Sequence, residues 1–170
     1  MDFRELREFI KDFGSYIIVG IVVILLFIYV IAFIQVQGPS MQNTFTEGDL
    51  VFLSKVHYKF SDVKRGEIII FENNGVKNLI KRVIGLPGEK VEFKNNTLYI
   101  NGQAYEEDYL SEGVTTNDYS SGEIPENCYI VLGDNRNNSQ DSRDLGCIKK
   151  EQIIGKVIVR FWPVNKMKMF

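Results

Sequence analysis

Ser40 and Lys81 are the two residues of this chain whose types and settings suit covalent chemistry. A serine hydroxyl becomes a nucleophile when a neighbouring base takes its proton. The one histidine, His57, lies in Lys55-Val56-His57-Tyr58-Lys59, which reads as a solvated strand end or turn with a structural role. A multi-histidine metal site is therefore excluded. Lys81 stands in Asn78-Leu79-Ile80-Lys81-Arg82-Val83-Ile84, and strand alternation puts a cation among apolar neighbours on either face. The structural alternative is that Lys81 or Arg82 snorkels to water. As a base, Lys81 must be neutral, and at its ordinary pKa only about 0.1% is neutral near pH 7.5. Lowering that pKa to about 7–8 corresponds to roughly 4 kcal/mol, which burial in a dry apolar wall can supply.

Ser40 sits in the extended run Gln35-Val36-Gln37-Gly38-Pro39-Ser40-Met41. Gly38 lets another backbone come close, and Pro39 fixes φ and removes a donor. Before this run, Tyr16 to Ile34 forms 19 residues without a charged side chain. That predicts a transmembrane helix over 15–34, longer than the apolar region of a cleavable signal peptide and without a small-x-small site after it. Arg4, Arg7 and Lys11 precede it and none follows before Ser54, so residues 1–14 are expected in the cytoplasm and 35–170 outside.

After the anchor the pattern becomes short strands separated by turns. Strands are expected over Leu50–Ser54, Glu67–Phe71, Val76–Ile84, Val91–Phe93, Thr97–Ile100, Gln103–Tyr105, Cys128–Leu132 and Ile153–Phe161. Asn73-Asn74-Gly75, Lys94-Asn95-Asn96 and Asn101-Gly102 are hairpin turns. The fold class is mainly β, an N-terminal transmembrane helix followed by a barrel- or sandwich-like domain. Residues 106–126 read as a polar loop or small insertion. The net charge of -2 gives no reason to expect nucleic acid. Cys128 and Cys147 can bridge outside the cytoplasm or be two small buried residues, and both readings stand. They form no metal motif.

The loop from Gly133 to Gly146 alternates Asp and Arg, which suggests a self-paired, rigid segment able to position a catalytic group. Its acids are interrupted by Arg136 and Arg143 and lack calcium-loop spacing.

Four blocks then carry a resemblance: Gly38-Pro39-Ser40-Met41, Lys64-Arg65-Gly66-Glu67-Ile68-Ile69-Ile70-Phe71, Ile80 to Glu89, and Gly133-Asp134-Asn135-Arg136 through Ser139, Asp141, Ser142 and Arg143. Together and in this order, the chain resembles a bacterial type I signal peptidase, a membrane-anchored Ser-Lys protease. The resemblance implies a serine endopeptidase of exported preproteins that works at the lipid bilayer as a monomer, without metal or cofactor. It implies Ser40 as nucleophile, Lys81 as general base, Ser139 orienting the lysine, and Asp141 with Arg143 stiffening the loop. Asp134 and Arg136 are read as structural support. Val36, Gln37, Gly38 and Pro39 match one substrate wall and Asn78, Leu79 and Ile80 the other, with cleavage after small-x-small sites. Two departures stand out. Asn43 replaces a frequent proline, which is expected to loosen the segment after Ser40. Gly38 replaces a serine donor found in some members, leaving the oxyanion hole to backbone groups such as the Ser40 N–H. The alternative readings are a self-cleaving Ser-Lys repressor and a tethered β domain without catalysis.

Overall fold

Hairpins with strongly apolar strands dictate most of this architecture. The computed structural model describes residues 3–73, 75 and 77–170, apart from the side chains at 5, 6, 9, 10, 12, 27 and 28. Residues 1 and 2, the expected turn residue Asn74 and the expected strand residue Val76 lie outside the described residues.

Helix α1 runs from Phe3 to Tyr29. The next residues, Ile31–Gln35, form strand β1. The expected helix over 15–34 is thus corrected at its end, and among the described residues no helix is long and apolar enough to cross a membrane. The physical reason is that the last part of the apolar run has a better partner. β1 pairs antiparallel with β2, Leu50–Ser54, from Ile31 opposite Ser54 to Gln35 opposite Leu50. Ala32 and Ile34 pack on the core that holds Val36 and Phe45. Pairing with β2 satisfies the backbone groups on one side of β1, and alternation adds side-chain burial that a continued helix would not.

The remaining strands are β3 (Ile68–Asn73), β4 (Lys77–Gly85), β5 (Lys90–Lys94), β6 (Thr97–Ile100), β7 (Gln103–Tyr105), β8 (Tyr119–Glu123), β9 (Cys128–Leu132), β10 (Ile148–Lys149), β11 (Ile153–Trp162) and β12 (Lys168–Met169). The segment expected as a strand end or turn around His57 is a single helical turn, α2 (His57–Phe60), and α3 is Ser142–Leu145. The hairpin turns use asparagine as expected. Asn95, Asn96 and Asn101 all have positive φ, which asparagine tolerates and two-residue hairpins require. The polar stretch 106–126 is not all loop, because β8 within it pairs with β5.

The fold is mainly β, with two antiparallel sheets. The larger has the order β1-β2-β11-β3-β4-β9-β10, with β12 on β11; the smaller is β7-β6-β5-β8. The expected barrel does not close. β9 joins β4 only from Arg82 onward, so Lys77 to Lys81 have a neighbour on the β3 side alone. That half-strand and the outer edge of β1 are left as free backbone edges.

Candidate active site

β4 places Lys81 at the depth where its strand passes from open edge to fully paired sheet. Lys81 is 1% exposed. Its Nζ donates to Ser40 Oγ at 2.8 Å and to the Ile80 carbonyl at 2.9 Å. Burial brings its ammonium down to about 8, with Asp141 and Asp134 opposing and Lys77 adding to the effect. Near pH 8 about half of it is then the free amine that a proton acceptor must be.

Ser40 begins a turn anchored by two buried side chains, Met41 and Phe45, each 1% exposed. Phe45 N–H donates to the Met41 carbonyl at 2.7 Å and Gln42 N–H to the Pro39 carbonyl at 2.9 Å. Asn43 has φ 94, which a proline ring cannot reach. This turn calls for a residue tolerant of positive φ, which asparagine is. Thr44 pins its far end, donating Oγ1 to Asp134 at 2.5 Å and accepting from Arg82 at 3.1 Å.

The end of β9 approaches Ser40 closely. A side chain at Gly133 would meet the Ser40 carbonyl oxygen at 2.5 Å and the Ser139 Oγ at 2.2 Å, so only glycine fits between them. Asn135 N–H donates to that same Ser40 carbonyl at 3.0 Å, and its Nδ2 to the Pro39 carbonyl at 3.1 Å. Ser139 Oγ is buried and makes no hydrogen bond to Lys81; it lies close enough to Asp141 to help hold that carboxyl below its usual range.

Within the loop, Asp141 and Arg143 pair with each other. Arg143 donates from Nε and a terminal nitrogen to the two Asp141 oxygens, both at 2.8 Å, and Asp141 also accepts the Gly133 N–H at 3.0 Å. Burial pushes the Asp141 carboxyl up, but the Arg143 guanidinium and the Gly133 amide outweigh it and hold the carboxyl below the usual range. The other charges of the loop are not paired within it. Asp134 is held by Arg82 of β4, at 2.9 and 2.6 Å. Arg136 reaches out to Glu107 at 2.8 and 2.6 Å. Tyr109 donates to Glu107, and the Arg82 guanidinium lies 4.0 Å over the Tyr109 ring. Cys128 and Cys147 are bridged, which ties together the two ends of the segment bearing this loop.

Beside the Ser40–Lys81 pair runs a cleft between the two free edges. Val36, Gln37, Asn78, Leu79 and Ile80 line it with the pair, together with Ile34, Gln35, Val51, Ile70 and Lys77. Gly38 and Pro39 are not among its lining residues, and Pro39 instead borders a separate depression with Gln42 and Phe45. Asn135, Thr44 and Glu107 were missed in the sequence. Each acts through residues distant in sequence, and the one local signal was the density of Asn and Asp in the loop. Among the described residues no group of His, Cys, Asp or Glu is placed to hold a metal ion.

Residues 6–162 match the model of the family described as signal peptidase, peptidase S26. The chain is 36% identical to signal peptidase IB of Staphylococcus aureus strain Mu50, over 97% of this chain and 94% of that protein. It is 39% identical to signal peptidase I of Bacillus caldolyticus, over 85% of this chain and 87% of that protein. The crystal structure of a signal peptidase I from Enterococcus faecalis V583 superimposes with a TM-score of 0.52 at 37% identity, covering 56% of this chain and 97% of that one.

Proposed function

Because the chain belongs to the signal peptidase family, peptidase S26, and is accordingly a serine endopeptidase that removes signal peptides, we propose that Ser40 is its nucleophile and Lys81 its general base. The observation that carries this is the 2.8 Å contact between Lys81 Nζ and Ser40 Oγ, made by a lysine that is almost fully buried. The preprotein's cleavage region lies in the cleft as an added strand between the β1 edge, continued by Val36 and Gln37, and Asn78 to Ile80 of β4. Neutral Lys81 takes the Ser40 proton as Oγ bonds to the scissile carbonyl carbon. The tetrahedral oxyanion is met by the Ser40 N–H in the turn that follows Gly38. The C–N bond breaks as Lys81 returns the proton to the leaving amine, leaving an acyl-enzyme. Water, deprotonated by Lys81, then releases the acid. Once Lys81 is an ammonium it has a third N–H to place, and the Ser139 hydroxyl is the acceptor we assign to it.

We place this chemistry at the outer surface of a membrane, after small-x-small sites. Consecutive apolar residues of α1, among them Ile17, Ile18, Val19, Ile21 and Ile24, are largely exposed, so the helix offers its surface to something other than the catalytic domain. Arg4, Arg7 and Lys11 precede them on the expected cytoplasmic side. One copy of the chain contains both members of the dyad, so a monomer suffices.

The test is cleavage of a detergent-solubilised preprotein by the wild type, Ser40→Ala and Lys81→Met, with circular dichroism on each. Both variants are expected to fold and to lose about 10⁴–10⁶ in kcat/KM. A folded variant that cuts at near the wild-type rate removes its residue from the dyad. A wild type that leaves every small-x-small site intact favours a tethered domain without catalysis.

A further inference from the structure

The cleft that leads to Ser40 contains a second cation. Lys77 opens β4 and lines the same cleft as Lys81. The other lining residues are apolar or neutral, so among the described residues this cleft holds two cations and no carboxylate. Lys77 is exposed and takes part in no ion pair among the described residues. The nearest acid across the hairpin does not neutralise it. Glu72 pairs with Asn78, whereas Lys77 pairs with Asn73. Alternation therefore sends Glu72 to the opposite face, where it borders a different depression with Lys149 and Gln152. Lys77 is also near enough for its charge to be felt at Lys81.

We propose that Lys77 reads the charge of the substrate side chain about five residues before the cut, favouring Asp or Glu there and rejecting Lys or Arg. This rests on the peptidase reading above, which it extends to substrate choice. The position follows from strand geometry. Lys77 precedes Lys81 by four residues on one extended strand, about 13 Å away. On this proposal the substrate strand runs parallel to β4 along that edge, advancing at the same rise per residue, so that its residues before the cut extend from Lys81 toward Lys77. The residue just before the scissile bond sits beside Lys81, so the one beside Lys77 is about four further upstream. An unpaired ammonium in an open cleft attracts a carboxylate and repels a second cation, each by about three- to fivefold in a rate or binding constant. Specificity of this kind comes as much from the rejected charge as from the accepted one.

The experiment uses the full-length protein in detergent and a neutral small-x-small peptide whose fourth to seventh residues before the cut are changed singly to Glu, Gln or Lys. The readout is the Glu-to-Lys ratio of kcat/KM at each position, which cancels any general change in activity. For the wild type that ratio is expected to be about tenfold at one position near the fifth, to reside mainly in KM, and to shrink in high salt. Lys77→Arg keeps it, Lys77→Gln flattens it and Lys77→Glu reverses it. A ratio that is the same in wild type and Lys77→Glu overturns the proposal, as does a wild type that cuts all the peptides equally. A wild type that cuts none, the neutral peptide included, overturns the peptidase reading and this proposal with it.

Discussion

Lys81 and Arg82 follow one another on β4, and their side chains enter two differently built regions. Arg82 is 7% exposed and fully engaged. It forms a two-point ion pair with Asp134, donates to the Gly66 carbonyl at 2.9 Å and to Thr44, and stacks on Tyr109. Lys81, buried more deeply, has a hydroxyl and one carbonyl and no carboxylate in contact. The first region keeps a charge by compensating it. The second leaves a charge poorly compensated, so that it is easily given up. The residue types suit these tasks. A guanidinium stays charged in any protein environment and matches a carboxylate with two parallel bonds, whereas an ammonium loses its proton readily when desolvated. Exchanging the two residues would ruin both regions. The lesson is that rigidity and reactivity are obtained a single residue apart, by pairing one cation and isolating the next.

The largest effect on stability should come from unbalancing the paired region. Asp134→Ala leaves the Arg82 guanidinium buried without its counter-charge, which costs about 3–5 kcal/mol. Urea denaturation should show the loss, and Arg82→Met combined with Asp134→Leu should recover much of it. If the double variant is as unstable as Asp134→Ala, the cost lies in packing and the contrast with Lys81 weakens.

Lys81→Met should act in the opposite direction. Holding this lysine charged in the folded state below pH 8 costs on the order of 3 kcal/mol, given its fall from 10.5 to about 8. Between these values the unfolded chain binds more protons than the folded one, so wild-type stability rises as pH climbs from about 8 to 10.5. The methionine variant lacks this dependence. It should be more stable than wild type at pH 7, by up to that amount, with the advantage vanishing above about pH 10.5. Cleavage by the wild type should rise about tenfold per pH unit up to about pH 8. A variant that is less stable at pH 7 would mean that the Lys81 pocket is not electrostatically poor.

The smallest effect sharpens the boundary between the regions. Thr44 belongs to the turn of Ser40 yet bonds Arg82 and Asp134. Thr44→Val should cost about 1–2 kcal/mol. Through the turn it should also lower kcat more than it raises KM, whereas a purely structural role would change stability alone.

The amino-acid sequence by itself determined the local features. Alternation made β4 a strand with a cation on either face, and asparagines set the hairpins by accepting positive φ. The single histidine narrowed the catalytic options, and the expectation that Ser40 and Lys81 work together came from the resemblance of the four sequence blocks. The local features depend on neighbours a few positions away, where chain geometry is nearly fixed. The tertiary structure decided what depends on distant partners. Asp134 could have paired with Arg136, two residues on, but pairs with Arg82, 52 residues away, because β9 and β4 lie side by side. Ile31 to Gln35 became a strand rather than a continued helix because β2 offered an edge. The two cysteines bridged because β9 and the end of the loop converge. Ser139 was brought beside Gly133 and the Ser40 carbonyl without a bond to Lys81, and Lys77 was placed in the cleft beside Ser40 and Lys81. Through-space choices of this kind are made when sheets assemble, and composition and spacing along one strand do not encode which edge will arrive opposite.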